Sequence, residues 1–103
     1  MKQYLSPGQT ANLIELGFEK PRVAMPKFEW EDGEPQFRYT IGELIEMLPR
    51  KVDGELLEIS AAETTRSRNR WMVRYPYGII VYKDELIDAL YDVILKLKEE
   101  GVI

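Results

Sequence analysis

Apolar and polar positions recur along this chain with two different periods, and each change of period marks a new element. The clearest pattern is the last one. Leu86, Leu90, Val93, Ile94 and Leu97 fall at the i, i+4, i+7, i+8 and i+11 positions of a single helical face. Ile87, Tyr91 and Leu95 widen that face, while Glu85, Asp88, Asp92, Lys96 and Glu99 form a separate polar stripe. Asp84 is placed to cap the start, and Gly101 stands where a C′ glycine ends a helix. Acids crowd the first turns and Lys96 and Lys98 the last, as the helix dipole favours. The pattern predicts an amphipathic C-terminal helix with a wide apolar face.

Ahead of it the period drops to two. Over residues 55–62, Leu57, Ile59 and Ala61 share one face, and Glu58 and Ser60 the other. Over residues 70–75, Trp71, Val73 and Tyr75 alternate with Arg70, Met72 and Arg74. Ile79 to Tyr82 is apolar and rich in β-branched residues, and Tyr75-Pro76-Tyr77-Gly78 has the proline and glycine of a tight turn. Residues 64–69 are polar and read as a loop, and Val52-Asp53-Gly54 as a turn. The expectation is a three-stranded antiparallel meander, with strands near 55–62, 70–75 and 79–83, whose apolar face is covered by the final helix.

Two shorter helices are written in capping chemistry. Ser6-Pro7-Gly8-Gln9 combines a cap, a first-turn proline and a capping-box glutamine, and predicts a helix over 7–16 that stops at Gly17. Thr40-Ile41-Gly42-Glu43 is a second capping box, and Ile41, Leu44, Ile45 and Leu48 carry a helix over 41–48 up to Pro49. Between them, Pro21, Pro26 and Pro35 exclude a long helix or a central strand. Phe28, Trp30, Phe37 and Tyr39 are spaced by two within each pair, which fits short edge strands over 25–30 and 36–39 around Asp32-Gly33. An irregular aromatic arm fits the same residues. The predicted class is α+β, one domain over 1–103: a short helix and a proline- and aromatic-rich arm (1–39), then an α-β-β-β-α body (40–103).

Composition narrows the chemistry. The 103 residues have the hydrophobic content, 45%, of a globular chain, and the net charge of −4 disfavours a globally basic nucleic-acid binder. Cysteine and histidine are both absent. Ser-His and Cys-His nucleophile systems, and zinc sites built from those side chains, are therefore excluded. Catalysis would rest on Asp, Glu, Lys, Tyr or a carboxylate-bound Mg²⁺, and no motif for it is present; the seven glycines are isolated. The expectation is a chain that is not an enzyme and needs no cofactor or metal. No apolar run approaches the roughly 18 residues of a membrane span, and the N-terminus has no signal-like apolar segment, so a cytoplasmic location is expected.

Four surfaces are candidates for function. Trp30 stands among Glu29, Glu31, Asp32 and Glu34, an arm suited to a basic protein partner; the ordinary reading is a solvated acidic turn. Arg66, Arg68, Arg70, Arg74 and Lys83 lie in a 20-residue stretch without an acid, leaving nine cations and eighteen anions elsewhere. Together with Trp71, Tyr75 and Tyr77 these arginines suit phosphates and bases, or else pair across the sheet with Glu58 or Glu63. The stripe Glu85, Asp88 and Asp92 reads as the solvent side of its helix, with a cation or the basic hairpin as alternatives. Finally, the flank around Ile87, Tyr91 and Leu95 becomes a homodimer or partner surface if neither the first helix nor the arm covers it; otherwise the chain is a monomer.

The run from Tyr39 through Gly42, Leu44 and Leu48 to Pro49, then Trp71-Met72-Val73-Arg74-Tyr75, Glu85-Leu86-Ile87-Asp88-Ala89-Leu90-Tyr91 and Glu100-Gly101, resembles small uncharacterised proteins of gut Bacteroides genomes, prophages and other mobile elements. The resemblance covers residues 39–103 and rests on core and capping residues. It implies a bacterial or phage protein with an accessory role and brings no catalytic or binding residue with it. The function expected is non-catalytic binding of a protein partner, with nucleic-acid binding through Arg66–Arg74 as the alternative.

Overall fold

The computed structural model describes residues 2–25, 36–61, 71–76 and 78–103. The class is α+β, in the order α1 (Pro7–Glu15), α2 (Ile41–Met47), β1 (Lys51–Val52), β2 (Glu55–Leu56), β3 (Glu58–Ala61), β4 (Trp71–Tyr75), β5 (Ile79–Lys83) and α3 (Leu86–Glu99). Strands β3, β4 and β5 form an antiparallel meander, and α3 packs on β4, β5 and α2.

α3 forms for the reason its spacing gives. Leu86, Ile87, Ala89, Leu90, Val93, Ile94 and Leu97 are all buried, so the apolar stripe wraps well over one side. Fully burying each large aliphatic side chain contributes about 1.5–3 kcal/mol before entropy is counted. Gly101 ends the helix at φ 75°, a left-handed conformation that glycine adopts without strain. The start differs from expectation. The N-cap is Glu85, not Asp84, and its side chain makes no capping bond. Its carboxylate instead accepts the backbone N–H of Lys2 at 2.8 Å, so a long-range contact takes the place of a local cap.

Both capping boxes are present. Ser6 Oγ accepts from Gln9 N at 3.1 Å and Gln9 Oε1 accepts from Ser6 N at 3.0 Å. Thr40 and Glu43 make the same reciprocal pair at 3.2 Å each way. Pro49 keeps α2 to seven residues, and its C-cap Leu48 is already extended.

The meander has the predicted parity. Val73 faces Ile59 and Val81 across the ladders, and Tyr75 faces Ile79. Val73, Tyr75, Ile79 and Val81 are buried against α3, with Ile59 and Trp71 partly buried beside them. The first expected strand, however, is divided. β2 turns back on β1, pairing Val52 with Glu55 and Lys51 with Leu56, and only β3 joins the sheet. Asp53 and Gly54 have φ values of 51° and 82°, the double positive φ that a two-residue Asp-Gly hairpin requires. Leu57 lies between the two strands and donates its N–H to Arg50 O at 3.0 Å.

The chain before α2 is tied down by two antiparallel contacts. Tyr4 bridges Thr40, and Leu5, fully buried, donates to Tyr39 O at 3.0 Å. Ala24 bridges Phe37, and Met25 donates to Gln36 O at 2.8 Å. The expected strands over 25–30 and 36–39 thus meet at their base, while the rest of that arm lies outside the described residues.

Candidate functional site

The candidate residues divide into those the structure describes and those it does not. Trp30, Glu31, Asp32 and Glu34, and likewise Arg66, Arg68 and Arg70, lie outside the described residues. Arg74 is described. It sits in the middle of β4 opposite Glu58 and donates its Nε to that carboxylate. The hydrogen bond to Glu58, with the charge of Glu58 beside it, raises the pKa of the guanidinium. This is the cross-strand pairing reading of Arg74, and it sets a carboxylate beside the charge that a phosphate would need.

The flank of α3 is partly covered. Ile87 is fully buried, and Asn12 of α1 donates to the Tyr91 hydroxyl at 2.7 Å. Leu95 packs partly buried against the core, and Lys98 stands 5.6 Å from the centre of the Phe18 ring. The first helix and the turn after it thus reach the side of α3 that carries Ile87, Tyr91 and Leu95, and leave Tyr91 and Leu95 partly exposed.

The acidic stripe of α3 also differs from the solvated face expected of it. Asp88 accepts from Lys2 Nζ at 2.9 Å and from Gln9 Nε2 at 3.1 Å. Asp92 pairs with Lys83 of β5 at 3.2 Å. Burial works to raise the Asp88 pKa, but the hydrogen bonds from Lys2 and Gln9 and the charges of Lys2 and Lys83 outweigh it and hold it below the ordinary value. The stripe fastens the N-terminal segment and the end of the sheet to α3.

Two buried tyrosines fix loops to the core through their hydroxyls. Tyr75 donates to Pro49 O at 2.5 Å, and Tyr39 donates to Glu19 O. Burial pushes the Tyr75 hydroxyl up to about 12. Burial also raises Tyr39, with Glu43 and Glu19 adding to it. Neither group is suited to proton transfer near neutral pH. A cleft of about 420 Å³ lies beside Tyr39, lined by Phe18, Glu19, Lys20, Arg22, Glu43, Glu46 and Met47. Its polar groups largely serve one another: Arg22 Nη2 binds Glu46 at 2.9 Å, and the Arg22 backbone N–H donates to the same Glu43 that caps α2. Among the described residues no group of three or more acids is placed to hold a metal ion, and no helix is long and apolar enough to cross a membrane.

What remains is the face of the sheet turned away from α3. Register places Glu58 and Ser60 of β3, Met72 and Arg74 of β4, and Ile80 and Tyr82 of β5 on that side. Ile80 is 42% exposed and Tyr82 46% exposed, next to a half-buried Met72. From sequence, residues 79–83 read simply as an apolar strand. The signal for the outer face is the unbroken run Ile79-Ile80-Val81-Tyr82. In a sheet with one covered face, alternation must send two of those four residues outward. No protein-family model, curated protein or solved structure matches the chain.

Proposed function

We propose that this chain is a non-catalytic binding module whose contact surface for a protein partner is the open face of the β3–β4–β5 sheet. The observation that carries the reading is the exposure of Ile80 and Tyr82 beside Met72 on a face that no described element covers. Aromatic residues and methionine are the types enriched where proteins meet. The charge of the face favours a protein over a nucleic acid, because Glu58 neutralises Arg74 at its centre. Lack of histidine and cysteine, and the engagement of Asp88, Asp92 and Glu43 in structural contacts, support a role without catalysis.

The test is selection of displayed random peptides on the immobilised protein, followed by a counter-assay on the Ile80→Thr/Tyr82→Thr variant. Threonine keeps the strand preference while removing the apolar surface. The expected result is enriched peptides that bind the parent protein and lose at least tenfold in affinity on the variant, at unchanged melting temperature. Peptides that bind both proteins equally would place the contact surface elsewhere.

A further inference from the structure

The two edges of the meander are not alike. β3 is four residues long, alternates the polar Glu58 and Ser60 with Ile59 and Ala61, and is interrupted at Leu57 just before it begins. β5 is five residues long and reads Ile-Ile-Val-Tyr-Lys. It pairs with β4 on one side, and among the described residues no strand or bridge pairs with the other. Edge strands expose backbone N–H and C=O groups and recruit further strands unless they are short, charged, bulged or covered. β3 has two of those protections. β5 has only Lys83, at its last position, and that lysine is turned toward α3 and paired with Asp92.

We propose that β5 is the docking edge for a second copy of this chain, the two β5 strands pairing antiparallel about a twofold axis at Val81 to make one continuous six-stranded sheet. The proposal rests on the open face as a contact surface and adds the edge beside it. Self-complementarity selects the occupant. In the register centred on Val81, each Ile80 lies opposite a Tyr82 of the other copy. An aromatic–β-branched pair is therefore made twice on the exposed face. Each Lys83 lies opposite an Ile79, so like charges are not set against each other. A parallel arrangement in register would oppose Lys83 to Lys83 and forfeit both Ile–Tyr pairs. Antiparallel pairing about a twofold also makes the contact isologous and closes it at two copies.

The size of the contact sets its strength. A five-residue strand is about 17 Å long, so its pairing buries less than the roughly 1,200 Å² of a standard stable interface. The dimer is accordingly weak and dependent on concentration.

Sedimentation velocity across micromolar to millimolar concentration, with amide hydrogen exchange at both ends, tests this. The expected mass rises from 12.1 kDa towards twice that value, and β5 amides gain protection with concentration while β3 amides do not. The register is tested by a charge swap. Ile80→Lys and Tyr82→Glu variants are expected to be less associated alone than mixed, because the introduced lysine of one copy then lies opposite the introduced glutamate of the other. Circular dichroism establishes that each variant is folded; if either is not, exchange on the parent protein decides alone. A parent protein that stays at monomer mass to about 1 mM, or protection rising at β3 in place of β5, overturns the pairing. Peptide binding to the open face, lost in Ile80→Thr/Tyr82→Thr, would survive either outcome, so the two readings fail separately.

Discussion

The two faces of the β3–β4–β5 sheet are built from the same strands and differ in what lies on them. Val73, Tyr75 and Val81 are at most 6% exposed under α3, whereas Ile80 and Tyr82, each one position from Val81 on the same strand, are more than 40% exposed. Hydrophobicity alone does not separate Val81 from Ile80. Position in the pleat does, because successive side chains point to opposite faces and only one face has a helix over it. The inner residues are accounted for by the core they fill. Apolar residues on the outer face are not, and the proposed binding role rests on that difference.

The largest expected effect belongs to the inner layer. Leu90 is fully buried on α3, which packs on the sheet and on α2. Leu90→Ala is expected to cost about 2–5 kcal/mol in urea unfolding, from lost transfer energy and the cavity left behind. For a domain of this size each 1 kcal/mol lowers the melting temperature by about 4–8 °C. A loss below about 1 kcal/mol would mean that α3 is not the layer holding the inner face, and the contrast between the faces would collapse.

The next effect tests how the layer is anchored. Thr40 caps α2, which packs on α3, and also bridges Tyr4. Thr40→Ala is expected to cost about 1 kcal/mol, and Thr40→Ser to recover most of it, since serine restores the oxygen that accepts from Glu43 N. Equal losses in both variants would place the contribution in the methyl group and not in the cap.

These effects also mark how far the sequence could be read. The capping boxes at Ser6–Gln9 and Thr40–Glu43 were legible because every participant lies within four residues. The α3 stripe and the parity of β4 were legible because helix and strand periods are local. The division of the 55–62 strand was signalled by Asp53-Gly54, but a hairpin of two-residue strands is too short to produce alternation of its own. The contacts of Asp88 and Glu85 were hidden for a different reason. Their partner Lys2 is more than eighty positions away, and no period connects the two. The outer face was half legible: the apolar run in β5 was plain, but which members face outward depends on the register with β4. Of Trp30, Glu31, Asp32, Glu34, Arg66, Arg68, Arg70 and Arg74, Arg74 alone falls among the described residues, and it takes the cross-strand pairing with Glu58 in place of a free cationic surface.

A smaller effect depends on pH. Asp88 is held below its ordinary pKa of 3.8 when folded. The stability it contributes is therefore fully present above that value and is lost as pH falls through the lowered folded pKa. Both partners are about one-third exposed, Lys2 at 34% and Asp88 at 30%, so solvent screening keeps the ion pair itself below about 1 kcal/mol. Unfolding free energy followed from pH 5 down to 2 is expected to fall less steeply in Asp88→Asn than in the parent protein. Identical slopes would remove the N-terminal clasp from the account of how α3 is held.

The smallest expected effect is the one that separates the two faces most sharply. Ile80→Thr and Tyr82→Thr replace apolar residues on the same strand as the buried Val81. If apolar character in β5 were needed for the fold wherever it occurs, each would cost an amount approaching a core truncation. Surface substitutions that disturb no cap, cavity or buried pair usually stay within about 0.5 kcal/mol, and threonine has the β-branching that suits a strand. Each single variant is therefore expected to unfold within about 0.5 kcal/mol of the parent in dilute solution, where a weak dimer contributes nothing. A loss of about 2 kcal/mol or more would show that Ile80 and Tyr82 are covered by the chain itself. The open face would then be part of the core, and binding would have to be sought on another surface.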